Sequence, residues 1–285
     1  MGGYIAIYRP INVLFIAIAQ ILCAFFLDVD ASLQNLYTGG LHFLVLGTLS
    51  CVVFGYWIND FLDQQRDAIN KSKVKAISHL SQMIVYIHLL IFVSIALWCG
   101  RYLGVWFAGL FLITLVLLTL YSVWLKNTPF LGNILIAALH FVSIFSVYKL
   151  FPEIDIFLIL HFAVLSGFIA LAREIVKDLE DKDGDIATGA ETIPIVFGQN
   201  IANIMVYVIL LFTLSFSLVS FYVQKDYFQA LLLYLYYTYV AFFIVVPLYY
   251  IAVDIRYASK KEEYTRLSLW LKYVIFVVIL SILFF

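Results

Sequence analysis

The sequence predicts an all-α, polytopic membrane protein of nine transmembrane helices, and three observations predict it. The first is composition: 65% of the residues are hydrophobic and 12% charged, with mean hydropathy +1.03, where a soluble domain is about half apolar and about a quarter charged. A chain of 285 residues folded in water has too little interior for that much apolar surface, so lipid is the solvent. The second is run length. Apolar segments near 11–27, 41–58, 82–99, 103–121, 131–149, 156–172, 202–222, 228–250 and 271–285 approach the length needed to cross about 30 Å of hydrocarbon at about 1.5 Å per residue. Backbone groups in lipid must be satisfied internally, and runs this continuous are helices rather than the alternating strands of a barrel. The third is charge. With the N-terminus in the cytosol, nine spans place 14 of the 17 Lys and Arg residues on the inner side, leaving Arg101, Lys149 and Lys225 outside. An even number of spans would scramble that asymmetry.

The elements follow in order. The Ile11–Leu27 run resembles a secretory signal, but so many similar runs follow that it reads as the first span. The start, Met1-Gly2-Gly3-Tyr4-Ile5-Ala6, lacks the Ser or Thr of a myristoylation site. Three inner segments, about 59–81, 173–201 and 251–270, are long and polar, whereas most outer turns are short. Function is therefore expected on the cytosolic face, with the C-terminus on the opposite side and residues 1–285 forming one domain. Net charge −1 argues neither for nor against any partner, and no basic patch with interleaved aromatics suggests nucleic acid. Cys23, Cys51 and Cys99 lie in apolar runs as small packing residues, and the five histidines show no metal-ligand spacing.

The informative residues are acidic. The first long inner segment begins Asn59-Asp60-Phe61-Leu62-Asp63-Gln64-Gln65-Arg66-Asp67, and a later one reads Asp178-Leu179-Glu180-Asp181-Lys182-Asp183-Gly184-Asp185. Both contain DxxDxxxD, and each Asp of the first trio (60, 63, 67) recurs 118 residues later (178, 181, 185). At 100° per residue, positions 0, +3 and +7 fall within about 60° on one helix face. Glu180 and Asp183 fall off that face, and Gly184 is expected to break the helix before Asp185. Like charges at a helix C-terminus repel one another and meet the negative end of its dipole. Divalent cations with oxygen ligands relieve this, magnesium in particular, which takes a few carboxylates plus substrate phosphates. Arg66, Lys71, Arg173 and Lys177 are interleaved with the acids, and Lys126 lies in the intervening inner loop. Carboxylates for metal beside cations for phosphate suit a phosphate-bearing ligand. A cation-coupled transporter is the alternative from another class. Its acids would lie near the bilayer midplane, whereas these cluster at span ends, and Glu153 and Asp155 lie on the outer side.

These residues resemble the UbiA superfamily of intramembrane prenyltransferases. Asn59-Asp60-x-x-Asp63-x-x-x-Asp67 is similar to that superfamily's first motif. Arg173-Glu174-Ile175-Val176-Lys177-Asp178-Leu179-Glu180-Asp181-x-x-Gly184-Asp185, followed by Glu191-Thr192-Ile193-Pro194 and Gly198, is similar to its second. Weaker matches are Arg9-Pro10-x-Asn12, Tyr121-Ser122-x-x-Leu125-Lys126 and Gly132-Asn133. One departure stands out. After the first motif the family continues with Asn-Arg-Pro and Ser-Gly, whereas this chain reads Asn70-Lys71-Ser72-Lys73-Val74-Lys75. Lys71 can replace arginine as a point charge but not as a bidentate fork.

The resemblance implies a nine-helix UbiA-type bundle and a magnesium-dependent prenyltransferase acting on a prenyl diphosphate and a hydrophobic acceptor within the bilayer. Two magnesium ions would be held by Asn59, Asp60, Asp63 and Asp67 on one side and Asp178, Asp181 and Asp185 on the other. Asn12, Arg66, Lys71, Tyr121, Lys126, Arg173 and Lys177 would bind substrate. Asp60, Asp63, Asp181, Asp185 and Lys126 would serve the chemistry of diphosphate departure. The wording of the second motif is most similar to archaeal-type geranylgeranylglycerol-phosphate geranylgeranyltransferases of ether-lipid biosynthesis. Prenylation of an aromatic quinone precursor is the runner-up, and haem farnesylation is third.

Overall fold

The computed structural model describes residues 2–28, 32–64 and 76–285. Among them there is no strand, and nine long helices dominate. They are α1 (Pro10–Phe26), α2 (Leu41–Leu62), α3 (Gln82–Leu103), α4 (Val105–Val123), α5 (Leu131–Leu150), α6 (Ile156–Glu180), α7 (Gln199–Val223), α8 (Ala230–Asp254) and α9 (Lys261–Leu280). Eight of the nine are long and apolar enough to cross a membrane, α9 being extended by a 3₁₀ turn to Phe284. The remaining helix, α1, has 17 residues, about 26 Å of rise. Its register sets it alongside a spanning helix. Arg9, just before α1, pairs with Asp60 at the end of α2, while Gln20 further along bonds Thr48. Hence α1 runs antiparallel to the Thr48–Asp60 stretch of α2. The chain is an integral, multi-pass membrane protein.

The ends of the elements have local causes. Asp155 caps α6 by accepting from the amides of Phe157 and Leu158, and Ser81 caps α3 through the amide of Ile84. Glu263 accepts from the amides of Ser259 and Lys260 at the start of α9. A π-helical turn, Ala241–Val245, interrupts α8 just before Pro247, where the missing amide would leave a carbonyl without its ordinary partner. Gly100 lets α3 and α4 meet closely, since a Cβ there would lie 2.7 Å from the Cα of Ala108.

Two expected boundaries are corrected. Helix α6 continues to Glu180 instead of ending at 172, and α9 begins at Lys261 instead of 271. In both, apolar residues of the extension are buried (Ile175, Val176, Leu179; Tyr264, Leu267), so burial of one stripe holds the turns that carry charge. Much of the inner segments 173–201 and 251–270 is therefore helix rather than loop.

Helix α6 lies between α5, α7 and α9, while α2 packs on α3 and α4, and α1 joins α2, α5 and α9. Large apolar side chains such as Leu90, Leu112, Leu231 and Tyr249 remain exposed on the outside, where hydrocarbon rather than water is the natural contact.

Candidate active site

The site begins at the C-terminal end of α2. A short helix, Gly2–Ile7, lies against this end. Ile7 is buried with Trp57, Val53, Ile77 and Val85 in a small separate core, and the Tyr8 ring meets Trp57 edge-on at 5.5 Å. This seating delivers Arg9. Its backbone is left-handed (φ 46°, ψ 57°) immediately before Pro10, a conformation that disfavours a side chain by about 1–2 kcal/mol. Its guanidinium donates to Asp60 Oδ1 at 2.7 Å and lies 4.5 Å from the ring centroid of Tyr56. Burial works against the charged guanidinium, but Asp60 and Tyr56 hold its pKa above the ordinary value.

Asp63 is the C-cap of α2, and Lys126 meets it from the turn after α4. Lys126 Nζ donates to Asp63 Oδ1 at 2.5 Å and lies 3.3 Å from Asn59 Oδ1. Both charged side chains are largely buried, at 8% and 13% exposure. Lys126 sits in the 3₁₀ turn Leu125–Asn127, which Thr128 braces by donating to the Leu125 carbonyl at 2.7 Å. The amide of Glu191 donates to the carbonyl of Asn127 at 2.8 Å, tying the chain beyond α6 to the same turn. Gly132 permits the approach. A Cβ there would lie 2.9 Å from both the carbonyl oxygen of Leu125 and the Cα of Lys126.

The next residue, Asn133, is buried and donates its amide to Asp178 Oδ2 at 2.8 Å. The second acidic motif thus enters the same end of the bundle. It does not form one continuous helical face, however. Helix α6 ends at Glu180, Asp181 is the cap, and a short helix Lys182–Ala187 carries Asp185. The break falls at Asp181 rather than at Gly184. Asp185 is buried at 2% exposure. Glu180 is turned aside and accepts from Thr265 of α9.

Below these groups a cavity of about 230 Å³ opens between α1, α2, α4, α5, α6 and α9. Its upper wall includes Arg9, Asn12, Tyr56, Asn59, Tyr121 and Lys177. Deeper along the helices come Arg173, Glu174, His140 and Lys272, and then an apolar stretch with Phe15, Phe111, Leu139 and Ile275. The deep end is polar again, at Thr48, Ser143 and Ser166. Behind it Gln20 donates to Thr48 Oγ1 at 3.0 Å and to the Ser143 carbonyl at 2.8 Å. From Asn59 to Thr48, eleven residues of α2, the cavity spans about 16 Å.

Of the residues singled out in the sequence, Asn12, Asn59, Tyr121, Arg173 and Lys177 line this cavity. Asp63 and Lys126 bond each other, Asp60 bonds Arg9 and Asp178 bonds Asn133, while Asp181 and Asp185 follow at the end of α6. Arg66, Asp67 and Lys71 lie outside the described residues. Among the described residues no three His, Cys, Asp or Glu side chains converge as a group that could hold a metal. Sequence reasoning did not place Arg9, Tyr56, His140, Glu174 or Lys272 in the site. Lys272 counted only toward the inner-side charge, yet its ammonium faces the Phe15 ring at 5.7 Å. The signal for His140 was its position seven residues after Asn133, two turns along one helix face.

The comparisons with known proteins agree with this arrangement. The chain is 34% identical over 212 residues to the digeranylgeranylglyceryl phosphate synthase of Methanothermobacter thermautotrophicus, covering 72% of this chain and 70% of that protein. It is 30% identical over 224 residues to the protein of that name from Thermococcus kodakarensis, covering 77% and 76%. Its fold is similar to a solved structure described as concerning digeranylgeranylglyceryl phosphate synthase in membranes, with TM-score 0.73, 18% identity and coverage of 99% and 96%. It is also similar to a UbiA homolog from Archaeoglobus fulgidus bound to GPP and Mg2+, with TM-score 0.67, 17% identity and coverage of 98% and 99%. The profile described as the UbiA prenyltransferase family matches residues 13–280, and with acidic helix ends, cavity and relatives all in accord, the chain belongs to that family.

Proposed function

We propose that this protein transfers a geranylgeranyl group from its diphosphate to the free hydroxyl of geranylgeranylglyceryl phosphate, forming an ether, with magnesium as cofactor. The observation that carries the reading is the polarity gradient of the cavity. Cations line the end of the cavity beneath the paired carboxylates of the two acidic motifs, and an apolar stretch with Phe15, Phe111, Leu139 and Ile275 follows deeper in the roughly 16 Å cavity. The choice of acceptor rests on the relatives, which carry the name digeranylgeranylglyceryl phosphate synthase at 34% and 30% identity.

The donor set suits magnesium. Asn59, Asp60, Asp63 and Asp67 would hold it on one side, and Asp178, Asp181 and Asp185 on the other, all through hard oxygen atoms. Magnesium commonly takes only one or two carboxylates and completes its shell with water and substrate phosphate. A site with no preformed group of three carboxylates among the described residues is in keeping with that habit. A UbiA homolog of similar fold was solved with GPP and Mg2+. When bound, the metal would supply Lewis-acid neutralisation of the departing diphosphate.

The chain's own residues do the rest. Lys126, Lys177 and Arg66, with Lys71 as a further point charge, would share the charge of the diphosphate. Arg173 has a buried Nε without a hydrogen-bond partner, a donor suited to an anionic oxygen of either substrate. Tyr121 and Asn12 would orient the diphosphate by hydrogen bonding, as both line the upper wall. Tyr56, Phe15 and Phe111 offer aromatic faces to positive charge developing on the allylic carbon. The apolar stretch would receive the prenyl chain and exclude water.

The acidic end is assigned to the cytosol and the C-terminus to the opposite side, because 14 of 17 basic residues then lie inside. The test of function is incubation of the purified protein with geranylgeranyl diphosphate, magnesium and a panel of acceptors, scored by product mass. The expected product is the glycerol-phosphate diether. Prenylation of an aromatic quinone precursor or of haem in its place would overturn the acceptor assignment.

A further inference from the structure

We propose that His140 accepts the proton that leaves the acceptor when it is prenylated, with Glu174 as the anion that steadies the resulting imidazolium. The inference rests on the prenyl-transfer reading and adds a residue to it. His140 lines the cavity in α5, and among the described residues its ring makes no side-chain hydrogen bond. Glu174 is the one carboxylate in the cavity lining.

Their levels match. Asn133 and Asp178 fix the register of α5 against α6 at 2.8 Å. His140 lies seven residues into the membrane from Asn133, about 10 Å, and Glu174 four residues from Asp178, about 6 Å. Helical side chains lean toward their own N-terminus. Helix α5 starts at the acidic end and α6 finishes there, so His140 leans up toward Asp178 and Glu174 leans down to meet it. Both sit just beneath the position of a diphosphate held by the acidic motifs, where the allylic carbon must lie. The other charged or titratable groups on the cavity wall are Arg173 and Lys177 on α6, Lys272 on α9, Tyr56 on α2, Tyr121 on α4, and Arg9. Arg173 pairs with Glu174 at 3.3 Å, and the other cations line the same wall, so His140 is the neutral nitrogen base among them.

The step balances. A lone pair of the acceptor oxygen forms a bond to the allylic C1, the C1–O bond to diphosphate breaks with its electrons on the diphosphate, and the hydroxyl proton passes to the imidazole. A protonated His140 is unable to serve, so kcat/KM falls as pH falls.

The experiment uses the full chain in lipid nanodiscs and whichever acceptor the wild type prenylates, since hydroxyl and aromatic acceptors alike lose a proton. An aromatic product would sink the ether-lipid reading while leaving this test intact. For His140→Gln the expected result is a fall in kcat of about 100-fold or more, with KM for the prenyl diphosphate within about threefold of wild type. The low-pH limb of kcat/KM should disappear, and added imidazole should restore turnover to His140→Ala. A His140→Gln enzyme retaining a third or more of wild-type kcat would overturn the proposal. So would loss of activity with an unchanged pH limb and no imidazole rescue, which is the pattern of a purely structural residue.

Discussion

The two acidic helix ends share a spacing but differ in how their carboxylates are compensated. At the end of α2, Asp60 faces Arg9 at 2.7 Å and Asp63 faces Lys126 at 2.5 Å, each a full positive charge. At the end of α6, Asp178 is met, among the described residues, by the neutral amide of Asn133. An ion pair cancels charge, whereas an amide satisfies one lone pair and leaves the charge in place. The difference teaches that two copies of one sequence pattern need not be two copies of one site. The α2 carboxylates Asp60 and Asp63 are held by cations before any ligand arrives, whereas Asp178 keeps a charge that a bound cation would relieve.

The largest expected effect tests both ends at once. Asp60→Asn and Asp178→Asn should each reduce prenyl transfer by about 10³-fold or more, ~4 kcal/mol of transition-state stabilisation, and chelation of divalent cations should do the same to the wild type. Stability without metal should separate the two variants. Asp60→Asn strands the Arg9 guanidinium and should lower the melting temperature. Asp178→Asn removes a buried charge that is met at hydrogen-bond distance, among the described residues, by the Asn133 amide, and should leave the melting temperature equal or raise it. Metal-free thermal unfolding in detergent is the measurement, and equal losses in both variants would erase the comparison.

A smaller effect is expected from the partners. Lys126→Met leaves Asp63 buried without its cation, a change that costs about 3–5 kcal/mol when one member of a buried pair is removed. Asn133→Ala leaves an acceptor unsatisfied, about 1–3 kcal/mol. Chemical denaturation should therefore rank Lys126→Met well below Asn133→Ala. Magnesium titration should show Asn133→Ala closer to wild type, because the carboxylate it exposes is one assigned to the metal.

Much of this was legible in the sequence, and the physical reasons are specific. Run length and lipid hydrogen bonding dictate the helices, and the matched trios at an offset of 118 residues pick out both acidic ends. What stayed hidden depends on pairing across the bundle. Arg9 lies 51 residues from Asp60 and Asn133 lies 45 from Asp178, and no local spacing announces such partners. In the sequence Arg173 and Glu174 fall just past an apolar run and Lys272 at the start of one, so they read as loop residues or as inner-side charge. They are helical because a polar cavity, rather than lipid, receives them. Asp155 was placed on the outer side, and the structure adds that it caps α6 and accepts from Tyr227 at 2.7 Å. That bond follows burial in pushing the Tyr227 phenol up to about 12.

The smallest expected effect addresses how the α2 end is assembled. Gly132→Ala places a methyl group 2.9 Å from the Leu125 carbonyl oxygen and the Lys126 Cα, so the turn that presents Lys126 must shift. Overpacking of this kind costs about 1–3 kcal/mol, and the shift acts on Lys126–Asp63 before it acts on Asn133–Asp178, whose donor sits within α5 itself. Activity should fall several-fold, with the loss concentrated in diphosphate affinity because Lys126 is displaced while the α6 carboxylates stay in place. Gly109→Ala is the matched control: it lies within α4, a Cβ there meets nothing within 4 Å, and helix propensity alone predicts a gain of about 0.5–1 kcal/mol. Opposite signs for the two glycines in thermal unfolding, with a change in KM for the prenyl diphosphate only in Gly132→Ala, would show that the approach of α5 to the 125–127 turn positions the cation at the α2 end. Equal behaviour would mean that the turn is held by Thr128 and Glu191 alone.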